Sequence, residues 1–325
     1  MKLVLLGEPG SRRTAFWKKA AKAEQQDITC IPWSDYRSGM FDHCMVKIDP
    51  PDLHTDDLHK MNETLRGYCS TLHSLQKENC RFFNEPEGIL QLLDKAFCKK
   101  KLQRAGIPVT PLCFDGVTSL DDLLEQMDKT HIFSVFLKPI YSSGAAGVTA
   151  FRFSPRTGRM VVYTSSLLQD GILWNTKKLR RMEQRDEIRA LLNEIFSLGV
   201  VIARWIPKQQ FQNKSYDLRL VFQFDHLTFG VARQSHGPIT NLHLNNQALS
   251  LERLSLSDTR IHELEVLCRL AMQPFAGIQM AGIDVLFEQH SGKPYIIEMN
   301  GQGDLLYQDI FLENKIYREQ IRLLS

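Results

Sequence analysis

Two carboxylates in the last quarter of the chain are spaced to do chemistry. They lie in Ala281-Gly282-Ile283-Asp284-Val285-Leu286-Phe287-Glu288, then Gln289–Lys293, then Pro294–Asn300. Side chains alternate across a strand with period two. Odd positions hold Ile283, Val285, Phe287, Tyr295, Ile297 and Met299, an apolar face suited to a core. Even positions hold Asp284, Leu286, Glu288, Ile296, Glu298 and Asn300. A turn centred on Ser291 sets Asp284 opposite Glu298, with Asn300 two residues on. Facing Cβ atoms are then about 4.5–5.5 Å apart. Carboxylates that close repel unless a cation sits between them. Oxygen ligands from Asp, Glu and Asn suit Mg²⁺, which is completed by water and substrate phosphates. Taken alone, the segment is equally a hairpin with a polar solvent face.

Cations precede it. Lys138 ends the strand-like run Ser134-Val135-Phe136-Leu137, where a lysine is costly to bury without an anion. Four residues later begins a loop of small residues from Ser142 through Ser143 and Gly144 to Gly147. Small residues let backbone N–H groups approach phosphate oxygens, so lysine and loop together suit a triphosphate clamp. A simple hairpin turn is the alternative. Ala203-Arg204-Trp205-Ile206-Pro207 ends a further strand. In Tyr216-Asp217-Leu218-Arg219, alternation puts Asp217 and Arg219 on one face. The next strand ends at Arg233, and Thr240-Asn241-Leu242-His243 follows. A surface salt bridge would explain each of these residues singly, but not their order ahead of the carboxylates. Among the histidines His226, His236, His243 and His262, only His243 lies in a motif, and a structural or a catalytic role is open to it.

The rest of the chain must position these groups. Its 325 residues suit two or three domains. With 40 Lys+Arg against 37 Asp+Glu the net charge is +3, which argues against bulk binding of nucleic acid. No apolar run approaches the length of a membrane span. The opening run MKLVLLG is broken by Glu8-Pro9-Gly10 and reads as a buried strand, not a secretion signal. Seven irregularly spaced cysteines, none in a C-x-x-C pair, predict reduced thiols in a cytoplasmic protein. Lys2–Leu6, Ile28–Ile31 and Met45–Ile48 read as strands. Helices are predicted near Arg12–Lys22, over Asp56–Leu75 and near Asp94–Ala105, where Gly106-Ile107-Pro108 stops the chain. Strands follow in the middle of the chain, at Val148–Phe153, Met160–Thr164, Val200–Ile206, Tyr216–Phe224 and Thr228–Gln234. The charged stretch Lys177–Arg189 reads as a solvated helical face, with binding of an acidic peptide or RNA by the basic run Lys177–Arg185 as the alternative. Ile261–Met272 is helical, and a last helix starts near Asp309. The first part is α/β and the second α+β.

The order of these pieces resembles the ATP-grasp superfamily of carboxylate–amine ligases, in detail over about residues 82–305. Asn84-Glu85-Pro86-Glu87, Asp94-Lys95 and Ala105-Gly106-Ile107-Pro108-Val109-Thr110-Pro111 look like the entry to that module. Phe136-Leu137-Lys138-Pro139 with its loop looks like the phosphate flap, and Ala203–Ile206 like the adenine hinge. Asp217-Leu218-Arg219 and Thr240-Asn241-Leu242-His243 are similar to the RimK-type branch. Gly7-Glu8-Pro9-Gly10-Ser11-Arg12-Arg13 with Asn300-Gly301-Gln302-Gly303-Asp304-Leu305-Leu306 resembles a poorly characterised bacterial subfamily.

The resemblance implies an ATP-grasp fold behind an N-terminal Rossmann-like domain, divided at 1–85, 86–200 and 201–325. It implies that Lys95 and Lys138, with Ser142, Ser143 and Gly144 of the flap, contact the phosphates of ATP. The backbone around Arg204, Trp205 and Ile206 would meet the adenine edge and Asp217 the ribose. Asp284, Glu298 and Asn300 would hold Mg²⁺, with Mn²⁺ as the alternative. Arg219, Arg233 and Asn241 would face the phosphates and the acyl intermediate. The substrates implied are a small-molecule or peptide carboxylate and an amine. The chain departs from the pattern at Ala203, where the hinge is usually acidic, and at Ile239, where the RimK-type motif has arginine. It also lacks the usual Asn-x-x-Pro-Gly after the metal ligands. An ATP-dependent kinase of a small alcohol and a nucleotide-binding module without catalysis are the competing readings.

Overall fold

Apolar strands that are followed by amphipathic helices build the first layer. A computed structural model describes residues 2–303 and 314–324. β1 (Lys2–Leu6), β2 (Ile28–Ile31), β3 (Cys44–Ile48) and β4 (Arg81–Phe82) form a parallel sheet in the order 2-1-3-4. A parallel sheet needs cover on both faces. α1 (Arg12–Ala23) and the C-terminal helix (Lys315–Leu324) supply one side, where Leu3, Leu5, Trp17, Tyr317 and Ile321 pack together. α2 (Leu58–Leu75) supplies the other, where Val4, Leu6 and Ile48 meet Tyr68, Leu72 and Leu75. Ser11 caps α1 by accepting from Thr14 N at 3.1 Å. Residues 304–313 lie outside the described residues, and so do the predicted helix start at Asp309 and the Asp304-Leu305-Leu306 part of the motif.

α3 (Pro86–Leu93) starts with proline in its first turn, and α4 (Lys95–Arg104) is capped by Asp94, which accepts from Phe97 N at 2.8 Å. The second sheet is antiparallel. It holds β5 (Leu112–Phe114), β6 (Ser134–Pro139), β7 (Thr149–Ser154), β8 (Arg159–Gln169), β9 (Ile172–Met182) and β10 (Val200–Arg204), in the order 5-10-6-7-8-9. α5 (Leu120–Thr130) and α6 (Arg185–Ser197) bury Leu123, Met127, Ile188 and Leu192 against it. β10 pairs with β5 and β6, so this sheet extends to Arg204. The charged stretch from Lys177 is not a helix as far as Met182. It belongs to β9, which pairs with the long β8. β9 is an edge strand, where charged side chains are at home, and its charges imitate a solvated helical face.

The third sheet carries β11 (Gln210–Phe211), β12 (Lys214–Gln223), β13 (His226–Ser235), β14 (Gln247–Ser250), β15 (Met280–Phe287) and β16 (Pro294–Asn300). The order is 14-13-12-15-16, antiparallel, with β11 on β12. α3, α4 and α7 (Asp258–Met272) contribute Ile89, Leu92, Leu102, Leu264 and Cys268 to a core with Ile283, Val285, Ile296 and Met299. The register pairs Asp284 with Glu298, as the turn centred on Ser291 requires. One step on, Val285 pairs with Ile296, which leaves Ile297 as an extra residue in a β-bulge. The bulge reverses the alternation beyond it. Ile296 is 1% exposed in the core, and Ile297 faces the other way.

Asn84 ties this hairpin to the end of the first sheet. Its Nδ2 donates to Met280 O at 2.8 Å and to Gly301 O, and its Oδ1 accepts from Gln279 N (2.8 Å) and Met280 N (3.0 Å). The residue is buried, so removing it leaves backbone groups without partners or water. Asn84→Ala should lose about 2–4 kcal/mol in urea denaturation with an unchanged m-value. A loss under about 1 kcal/mol would mean that other contacts hold the hairpin.

Candidate active site

The second and third sheets enclose a cavity of ≈ 270 Å³. From the third sheet come Asp217 and Arg219 on β12, Arg233 on β13, Asp284 and Leu286 on β15, and Glu298 and Asn300 on β16. Opposite them stand Phe136 and Lys138 of β6, the end of β10 with Arg204 and Ile206, and Ser142, Ser143 and Gly144 of the small-residue loop. Asn241 closes one side and Lys95 of α4 another. Trp205 is the one predicted site residue outside the lining. Its ring packs beneath the Arg152 guanidinium, 4.5 Å away, and against Phe136. The N–H groups of Arg204 and Trp205 are spent on Pro111 O (2.8 Å) and Ser134 O (3.0 Å).

An ion network covers the floor. Asp284 lies between Arg219 Nη1 at 3.1 Å and Arg233 Nη2 at 3.0 Å. Arg233 Nε also donates to Asp217 Oδ1 at 2.7 Å. Asp217 Oδ2 accepts from Lys208 Nζ at 2.9 Å and from Thr240 Oγ1. Burial alone would raise the Asp217 pKa, but Arg233 and Lys208 override it and hold the carboxyl well below its usual range. Lys138 Nζ meets Glu298 Oε2 at 3.1 Å. Burial again opposes ionisation there, and Lys138 with Lys95 prevails, holding Glu298 at about 2. Lys95 donates to Ser142 O (2.8 Å) and Ile140 O (3.2 Å), which anchors the root of the loop.

Several lining residues escape a reading of the sequence. Lys99 sits one turn after Lys95 and donates to Thr110 Oγ1 at 2.6 Å. Burial, reinforced by Lys138, brings its pKa down to about 7. The spacing of four from Lys95 is a signal for it, since such residues share a helix face. Lys208 and Ile297 carry no such signal. Arg12 and Arg13 line the mouth from the start of α1, and Arg13 Nη1 donates to Gln302 O at 2.8 Å. Among the described residues, nine lysines and arginines and three carboxylates line the cavity.

The loop at Ser142–Gly147 turns through left-handed residues, Gly144 at φ +63° and Gly147 at φ +75°. A Cβ on Gly147 would stand 2.5 Å from Pro139 Cγ, so glycine is required there. Ala145 and Val148 pack on Ile239 and Leu244, which joins the loop to the third sheet through an apolar contact. Ile239 is 2% exposed at its centre. The departure from arginine therefore exchanges a cation for packing.

The residues fit a hard divalent cation. Asp284 Oδ1 is buried and, despite the nearby Arg219, makes no hydrogen bond among the described residues. Glu298 faces it in register and Asn300 follows on the same strand. No three His, Cys, Asp or Glu side chains cluster for a metal among the described residues. Two carboxylates and an amide oxygen are a donor set for Mg²⁺, which keeps water or phosphate in its remaining positions. The backbone is tight here as well. A Cβ on Gly282 would lie 2.3 Å from Gly303 O.

No family model matches the sequence, and no curated protein matches it. Solved structures do match. ATP-grasp ligase PsnB, complexed with precursor peptide PsnA2 and AMPPNP, superposes with a TM-score of 0.60 at 12% identity, covering 99% of this chain and 97% of that one. D-cycloserine synthetase DcsG gives a TM-score of 0.64 at 12% identity over 100% of both chains. A RimK domain ATP-grasp protein from Sphaerobacter thermophilus gives 0.56 at 12% identity over 99% and 98%. Likeness at this identity over whole chains is likeness of fold, and the chain has the ATP-grasp fold.

Proposed function

We propose that the protein is an ATP-dependent carboxylate–amine ligase that works through an acyl phosphate. The observation that carries this reading is the cavity's charge, with nine basic groups and three carboxylates among the described residues, two of the carboxylates facing each other in register. That excess suits a triphosphate. Structures of PsnB with AMPPNP, and with Mg and ADP, support the same choice of nucleotide and metal. The precursor peptide bound to PsnB supports a peptide as one class of substrate, beside a small-molecule acid and amine.

Adenine would rest on Phe136, Ile206, Leu286 and Ile297, with Ile206 as the hinge position because the N–H groups before it are spent. Lys95 and Lys138 would neutralise the phosphates. Asp284, Glu298 and Asn300 would hold Mg²⁺, which supplies charge neutralisation at the phosphate oxygens when bound. The substrate carboxylate attacks the γ-phosphorus, the bond to the β-γ bridging oxygen breaks, and ADP leaves. The amine then attacks the acyl carbon and gives up a proton, the acyl C–O bond breaks, and inorganic phosphate leaves with that oxygen. Arg219, Arg233 and Asn241 would stabilise the oxyanion of that step. The Ser142–Gly147 loop would exclude the water that hydrolyses acyl phosphates.

Asp284→Asn and Glu298→Gln should each lower ATP turnover by about 100-fold or more, with melting temperatures close to wild type. Full turnover in both variants would contradict the assignment of the carboxylates. Lys99 supplies a second check. Phosphates beside a lysine held near 7 draw its pKa upward, so ADP binding at pH 7.5 should take up protons. Calorimetry in buffers of different ionisation enthalpy reads this uptake, and Lys99→Met should remove it. No uptake by the wild type would place the phosphates away from Lys99.

A further inference from the structure

Lys208 lies at the seam between the apolar and cationic parts of the cavity. On β15, Asp284 and Leu286 share a face. Arg219 pairs with Asp284 and Leu218 with Val285, which sets Asp217 level with Leu286. That level is two residues, about 6.6 Å, from the carboxylate pair. A nucleotide with its base on Leu286 and its phosphates at Lys138 has its sugar there. Asp217 has little left to offer that sugar. It is 2% exposed and already accepts from Arg233, Lys208 and Thr240, three of about four lone-pair sites.

Lys208 has what Asp217 lacks. An ammonium has three N–H donors. Two go to Asp217 Oδ2 (2.9 Å) and Thr240 Oγ1 (2.7 Å), and the third has no partner among the described residues. The side chain is 9% exposed and lines the cavity. A buried donor without a partner is costly, and ligand oxygen is the natural remedy. The backbone is pinned on both sides, by Gln209 N to Phe287 O (2.8 Å) and Gln289 N to Pro207 O (2.9 Å), so the ammonium is delivered from a rigid base.

We infer that Lys208 donates its third N–H to a ribose hydroxyl oxygen of the nucleotide and thereby selects for a hydroxylated sugar. This rests on the nucleotide reading above. The test is calorimetric binding of ADP and of 2′,3′-dideoxy-ADP, each with Mg²⁺, in the absence of acid or amine. Wild type should bind ADP about 10-fold or more tighter. Lys208→Met should bring the ratio to about one, and Lys208→Gln, too short to reach the same oxygen, should do likewise. Melting temperatures establish that each variant is folded. Equal binding by the wild type, or a ratio that survives in both folded variants, overturns the role of Lys208 and leaves the nucleotide reading standing. Binding of neither ligand by the wild type overturns the nucleotide reading, and the role of Lys208 with it.

Discussion

The pairing of Asp284 with Glu298 across β15 and β16 is the constraint on which the rest of the site depends. Like charges this close on a half-buried sheet face are tolerated only among cations. The fold answers from three directions. Arg219 and Arg233 come from β12 and β13 of the same sheet, Lys138 comes from the opposing sheet, and Lys95 comes from α4. Much of the architecture reads as the means of bringing these groups to one place. The core under the third sheet fixes the strands, the bulge at Ile297 preserves the register at the carboxylates, and Asn84 anchors the hairpin to the first sheet.

The basic groups outnumber what the carboxylates need. Lys99 shows the cost most plainly, since burial beside Lys138 weakens its hold on a proton. A lining with more basic than acidic groups among the described residues is strongly attractive to a polyanion. Proposed ATP binding follows from that imbalance together with the apolar wall at Phe136, Ile206 and Leu286. The loop from Ser142 to Gly147 is tied at its root by Lys95 and at its tip by Ile239. It joins the two sheets over the cavity that they enclose.

Much of this was legible in the residues, because strand alternation is a short-range rule. The period of two places Asp284, Glu298, Asp217 and Arg219 on cavity-facing sides, and turn symmetry about Ser291 supplies the register. What fails is whatever depends on a break in that rule or on distant packing. A single extra residue at Ile297 exchanges it with Ile296, and no local signal marks the bulge. The basic run from Lys177 carries helix-like charge spacing, yet β8 draws it into the sheet. The Trp205 backbone is expected at the adenine edge, yet its N–H donates to Ser134 O and its ring packs with Arg152. Resemblance assigns Asp217 to the ribose, and the assembled network adds that its oxygens accept from Arg233, Lys208 and Thr240.

The central claim is that this charge arrangement drives condensation of an acid with an amine. The most direct test is an ADP-release screen over amino acids and peptides, with mass spectrometry of the product. The account predicts ADP formation that requires both partners, and a product with the mass of acid plus amine less one water. A stable phosphoester formed from a single substrate, with no amide, would contradict it.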